Sequence, residues 1–188
     1  MTILSDDCWG GFVYHRLRLL FTSPLVNTAF ERDEYAKFIL DPLFYLNTDL
    51  TLYRDGNVYD GLCPIGYLGD GKRKVFIHFV HDRCFKEIKE KWDRRIKRIN
   101  KKNLFVKMGF SVCDVKNTWL ESFKSVNQNK VLFYFGETDI DEAFKTDRFI
   151  WLNRKGSVVY EYNSYIRNNY YYDLDLLKLL NGKADYKR

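Results

Sequence analysis

Only three prolines occur in 188 residues, and no serine- or glycine-rich stretch or internal repeat accompanies them. That leaves no linker marked by composition and favours a single domain over residues 1–188. The glycines form neither a G-x-G-x-x-G fingerprint nor a G-x-x-x-x-G-K-[ST] loop, which removes the two common nucleotide signatures. The cysteines, at 8, 63, 84 and 113, include no C-x-x-C pair, so zinc-ribbon spacing is absent. No apolar run approaches the roughly 20 residues of a membrane span. No basic n-region leads into an apolar h-region at the start. A cytoplasmic location with reduced thiols is the expectation. No aromatic RNP pattern is present, so no specific nucleic acid is expected as partner.

What is there is aromatic and basic. Hydrophobic residues make up 46% and aromatics 18% of the chain, enough for a substantial core. The formal charge is +6 with pI near 9.0. Such a balance suits anionic partners: a nucleotide-linked sugar, a phosphorylated cofactor, nucleic acid, or the inner leaflet of a membrane.

Strand and helix patterns alternate along the chain. A short apolar start, 1–4, precedes a loop and an amphipathic stretch over 12–20. A helix is predicted over 30–40, ended or kinked by Asp41-Pro42. Residues 50–53 alternate like a strand. Val75 to His81 is nearly continuous in apolar residues, as for a central strand covered on both faces. The spacing of Phe85, Ile88, Trp92, Ile96 and Ile99 predicts a helix over 84–99 with Trp92 in the core. Strands follow at 104–108 and 130–135, with a helix at 115–125 between them. Late strands are predicted at 149–152 and 158–162, and a closing helix at 174–180. The pattern implies an α/β protein: a three-layer Rossmann-like domain with a mostly parallel sheet and an antiparallel edge near the C-terminus.

The local order strand, Ser5-Asp6-Asp7-Cys8-Trp9-Gly10-Gly11, helix marks a candidate site. Glycines there let the backbone turn and approach a ligand. The following helix start favours an anion or a thiolate at Cys8. Cys8 and Trp9 as buried packing residues, with the glycines only making a turn, is the plainer alternative. His81, at the end of the strong strand, is preferred to His78 as a base for Cys8, because His78 faces the other way. His15 reads as a surface or packing residue. His78, His81, Asp82 and Cys84 match no standard metal-ligand set. Lys91, Arg94, Arg95, Arg98 and Lys102 share one helical face. They form either a solvated surface or a clamp for phosphate. Asn100 reads as a helix C-cap.

Four motifs occur here in one order: Cys8-Trp9-Gly10-Gly11; Thr22-Ser23-Pro24-x-x-Asn27; His78-Phe79-x-His81; and Lys91-Trp92-x-Arg94-Arg95-x-x-Arg98-Ile99-Asn100. In combination, over about residues 3–135, they resemble a bacterial family of unknown function found in exopolysaccharide and capsular polysaccharide gene clusters. Asp6 and Asp7 stand where that family usually has two asparagines, and Asp41-Pro42 where it has an asparagine. The cysteine loop is also loosely similar to the Gly-Asn-Cys-Gln loop of a capsule-biosynthesis acyltransferase family.

The resemblance implies a role in making surface polysaccharide, in the cytoplasm or peripherally at the inner membrane face. The leading expectation is a transferase moving an acyl group from a phosphorylated donor such as acyl-CoA to a sugar hydroxyl. Cys8 would be nucleophile or donor contact and His81 the base. Gly10 and Gly11 would offer amides to an oxyanion or phosphate. Trp9, Ser23, Asn27 and His78 would line the acceptor site, and Arg94, Arg95, Arg98 and Asn100 would hold donor phosphates. The alternatives are a non-catalytic protein that binds a nucleotide sugar or lipid-linked saccharide and docks on membrane polysaccharide machinery, and a glycosyl- or phospho-transferase using Asp6, Asp7 and Asp70.

Overall fold

The computed structural model describes residues 1–53, 63–111, 116–135, 149–152 and 176–181. The chain divides into two compact units, Met1–Leu104 and Phe105–Arg188.

The first unit opens with β1 (Thr2–Ser5), buried along its length. Asp7 then decides where the next helix starts. Its Oδ1 accepts the Trp9 N–H at 2.9 Å and the Ser5 hydroxyl at 2.9 Å, so α1 (Trp9–Arg16) begins before the glycines rather than after them. Gly10 and Gly11 are weak helix formers and look like a loop in the sequence. Their use is close packing. A Cβ on Gly10 would lie 3.3 Å from Ile3 Cγ2, and one on Gly11 3.2 Å from Val26 Cγ1. The helix closes on Arg18 at φ 52°, with the Leu19 N–H donating to the Tyr14 carbonyl at 2.8 Å, a Schellman-type end.

The expected break at Asp41-Pro42 is a junction between α2 (Arg32–Leu40) and α3 (Pro42–Leu46). Asp41 Oδ1 accepts the Phe44 N–H at 3.2 Å, and Pro42 sits where a helix needs no donor. Phe30, Tyr35, Phe38 and Tyr45 stack into a core, with ring centroids 5.3 to 5.9 Å apart.

Strands β2 (Thr51–Tyr53), β3 (Ile65–Leu68) and β4 (Val75–His78) form an antiparallel sheet in that order. The run 75–81 is therefore not a central parallel strand. It ends at His78, and Phe76 points outward, 37% exposed. Phe76 rests on Tyr67 and Tyr53, with centroids 6.2 and 6.3 Å away, so an apolar residue on the open face imitates two-sided burial in the sequence. Helix α4 (Phe85–Ile96) turns Ile88, Trp92 and Arg95 inward.

In the second unit β5 (Leu104–Ser111), β6 (Asn129–Phe135) and β7 (Phe149–Leu152) pair in parallel, with Phe105 opposite Asn129 and Leu132 opposite Phe149. Helix α5 (Asn117–Ser125) separates β5 from β6 in sequence, as a parallel crossover requires. Helix α6 (Leu176–Leu180) follows. The protein is mixed α/β. The sequence predicts an antiparallel edge near the C-terminus; among the described residues the antiparallel pairing lies instead in the first unit, and β7 pairs in parallel; the strand predicted at 158–162 lies outside the described residues.

Candidate functional site

Residues 23–29 of the first unit form a tight loop that four of the predicted residues touch. The buried Ser23 Oγ accepts the Leu25 N–H at 3.2 Å, and the Thr28 hydroxyl donates to the Leu25 carbonyl at 2.8 Å. Asn27 adopts φ 70°, a conformation asparagine tolerates better than most residues. The thiol of Cys8 donates to the Thr28 carbonyl at 3.9 Å. Gly11 packs on Val26. Arg95 Nη1 donates to the Val26 carbonyl at 3.0 Å. Ala29 and His78 exchange backbone hydrogen bonds of 2.8 and 2.9 Å.

Cys8 is half-buried at the start of α1. The helix end beside it is occupied by the Asp7 carboxylate. The Gly11 N–H donates to the Cys8 carbonyl at 3.0 Å, so this amide is not offered to an oxyanion or phosphate. Ser23 likewise shapes its own turn rather than facing an acceptor. Trp9 is core.

The histidines are placed differently from the expectation. Because β4 stops at His78, His81 falls in the exposed turn beyond it. His78 is buried and joined to the loop that Cys8 touches. Burial pushes its imidazole below the usual pKa, against the opposing pull of Glu31 and Glu34. His15 is exposed on α1.

The arginine face is split. Arg94 and Arg98 are exposed, whereas Arg95 is 7% exposed. Burial lowers the Arg95 pKa, Asp82 opposes this, and Arg94 and Arg98 add to it. Its guanidinium also lies 5.5 Å from the centroid of the Phe21 ring. Among the described residues its one hydrogen bond is that to Val26, which leaves N–H donors of a planar fork for an anion. Lys91 is held by Asp82 at 2.6 Å and Glu87 at 3.3 Å. The Asn100 N–H donates to Thr2 Oγ1 at 2.8 Å and its side chain accepts the Lys102 N–H at 3.2 Å, so Asn100 ties the turn after α4 to β1.

Asp82, buried and bonded to Lys91, escaped the sequence reading as a working residue, since no periodicity links it to the helix it serves. Asp7 carried a usable signal: an aspartate just before a helix is a common cap. Among the described residues no group of three or more His, Cys, Asp or Glu side chains is placed to hold a metal ion, and no helix is long and apolar enough to cross a membrane.

A mixed α/β protein with a buried arginine and a half-buried cysteine against one loop is thus defined. Residues 1–181 match the family model described as a domain of unknown function (DUF1919), and the chain belongs to that family. It is 30% identical over 186 residues to an "Uncharacterized protein" of Haemophilus influenzae (strain ATCC 51907 / DSM 11121 / KW20 / Rd), covering 96% of this chain and 84% of the relative.

Proposed function

We propose that the chain is a protein of exopolysaccharide or capsular polysaccharide biosynthesis whose first unit binds a phosphorylated donor, a nucleotide sugar or lipid-linked saccharide, beside residues 23–29. The motif combination from Cys8 to Asn100 supports the polysaccharide role by resemblance. The observation that carries the donor class is Arg95: a buried residue whose guanidinium makes a single hydrogen bond, to the Val26 carbonyl, among the described residues. A buried cation keeps its charge most readily beside an anion. Arg95 contacts the donor phosphate, Asn27 hydrogen-bonds the sugar, and Cys8, at the same loop, also contacts the donor. The protein works in the cytoplasm, at or near the inner membrane face.

A second reading is acyl transfer from acyl-CoA. The observation favouring it is that Cys8 is not sealed in the core. The Cys8 sulfur attacks the thioester carbonyl, CoA leaves as its thiol, and a sugar hydroxyl then takes the acyl group. A histidine accepts the hydroxyl proton, and the Cys8 thiol is restored. His78, joined to the same loop, suits that role better than His81.

Mass spectrometry of small molecules retained by the purified protein tests both. A nucleotide sugar or lipid-linked saccharide supports the first, and CoA the second. A retained ligand without phosphate, or equal retention by Arg95→Met, contradicts the donor assignment.

A further inference from the structure

Between α1 and the loop at 23–29 the chain presents two adjacent leucines to solvent, Leu19 at 46% and Leu20 at 63% exposure. They are pinned on both sides. Before them, the Leu19 N–H is held by the Tyr14 carbonyl. After them, Phe21 sets its ring against Tyr14, with centroids 5.7 Å apart, and Thr22 Oγ1 bonds the Met1 carbonyl at 2.9 Å. The leucines are therefore not displaced from a core by local disorder; the fold holds them outward.

Cations accompany them. Arg18 precedes the pair in the left-handed region at φ 52°, where glycine would fit with less strain. Phe21, next after Leu20, lies under the Arg95 guanidinium, whose neighbours Arg94 and Arg98 both act on it electrostatically. Arg18, Arg94 and Arg98 are exposed, and none pairs with a carboxylate among the described residues. Of the acids flanking α4, Asp93 pairs with Lys89 at 3.0 Å and Asp82 with Lys91 at 2.6 Å.

We infer that Leu19 and Leu20, with the exposed Arg18 beside them and the exposed arginines of α4 next to Arg95, dock the protein on the anionic surface of a lipid bilayer. Two apolar side chains enter the boundary of the acyl region while guanidinium groups meet lipid phosphates, the combination that makes interfacial binding stronger than either element alone. An acidic protein partner would match the charge but leaves the leucines without a role; a second copy of this chain would match the leucines but sets arginine against arginine. The overall charge of +6 favours the same choice. The inference stands on this surface alone and is independent of the donor proposed for Arg95.

Vesicle co-sedimentation with the full chain tests it, comparing phosphatidylcholine vesicles with vesicles containing about one third phosphatidylglycerol. The expected result is binding to the anionic vesicles only, weakening as salt is raised. Arg18→Gln should lower the partition coefficient about fivefold. Leu19→Ser/Leu20→Ser should lower it at least about tenfold with unchanged circular dichroism. Should the double variant fold poorly, Leu20→Ser alone carries the test. No binding of the native chain to anionic vesicles at low salt overturns the inference, as does equal binding by the leucine variants. Loss of a concentration-dependent dimer in those variants, without any vesicle binding, would assign the leucines to a contact between copies and equally overturn it.

Discussion

Arg95 Nη1 donates a 3.0 Å hydrogen bond to the carbonyl oxygen of Val26, 69 residues earlier in the chain. The bond ties the basic helix to the loop whose Thr28 carbonyl Cys8 contacts, so one buried cation both supports the loop and charges its surroundings.

Arg95→Met should destabilise the protein by about 1–3 kcal/mol, because the Val26 carbonyl is left without its donor. Arg94→Ala, on the exposed side of the same helix, should change stability by less than about 0.5 kcal/mol. Urea unfolding of the two variants separates the roles; equal effects would mean that Arg95 does not hold the loop.

Asp7→Ala should lower stability by about 1 kcal/mol, the usual worth of a helix cap, and Asp7→Asn by less, since asparagine also caps well. Thermal melts check the order. If Asp7→Ala is as stable as the native chain, the carboxylate does not define the start of α1.

These two residues also show how far the sequence could be read. The amphipathic spacing of Ile88 and Trp92 gave α4 and its buried side, and the alternation of strands and helices gave the α/β class. Gly10 and Gly11 misled, because low helix propensity does not reveal that a helix packs too closely on Ile3 and Val26 to carry a Cβ there. Phe76 misled in the same way: a half-exposed aromatic reads as core. Cys8, Asn27 and Arg95, all singled out in the sequence, meet at one loop, but that Arg95 alone turns inward from its arginine cluster is a matter of tertiary packing. The contact with Val26 joins segments too distant in sequence for any local pattern to register.

Arg18→Gly should raise stability by about 0.5–1 kcal/mol, by relieving a left-handed residue at the end of α1, while weakening binding to anionic vesicles. The two measurements moving in opposite directions would show that the strained position is kept for its charge. A loss of stability would contradict the strain argument.

Burial lowers the His78 pKa in the folded state. Above the ordinary histidine pKa of about 6.5 both folded and unfolded forms are neutral and His78 has no effect on the pH dependence. As pH falls through that value the unfolded chain takes up a proton first, so the folded state loses stability until its own lower pKa is reached. Melts across this range should show the decline in the native chain and a flatter profile in His78→Gln. Parallel profiles would exclude His78 as the source.

Thiol labelling should be fastest at Cys84, exposed at the start of α4, slower at Cys8, and slowest at Cys63, where burial raises the pKa. Peptide mapping in a Cys113→Ser background reads the order. Cys8 labelling fastest in the unliganded protein would instead mark it as an activated thiolate and favour acyl transfer.

Calorimetric titration with UDP-glucose, with acetyl-CoA as the competing probe, measures whether Arg95 binds the phosphate of a donor. If Arg95 holds the donor phosphate, UDP-glucose binds saturably and its affinity falls about ten- to a hundredfold in Arg95→Met, the worth of a hydrogen bond to a charged group. Asn27→Gly, which keeps the left-handed backbone and removes the side chain, should weaken it as well. No binding of either probe by the native chain, or unchanged affinity in a folded Arg95→Met protein, would rule out a donor phosphate at Arg95.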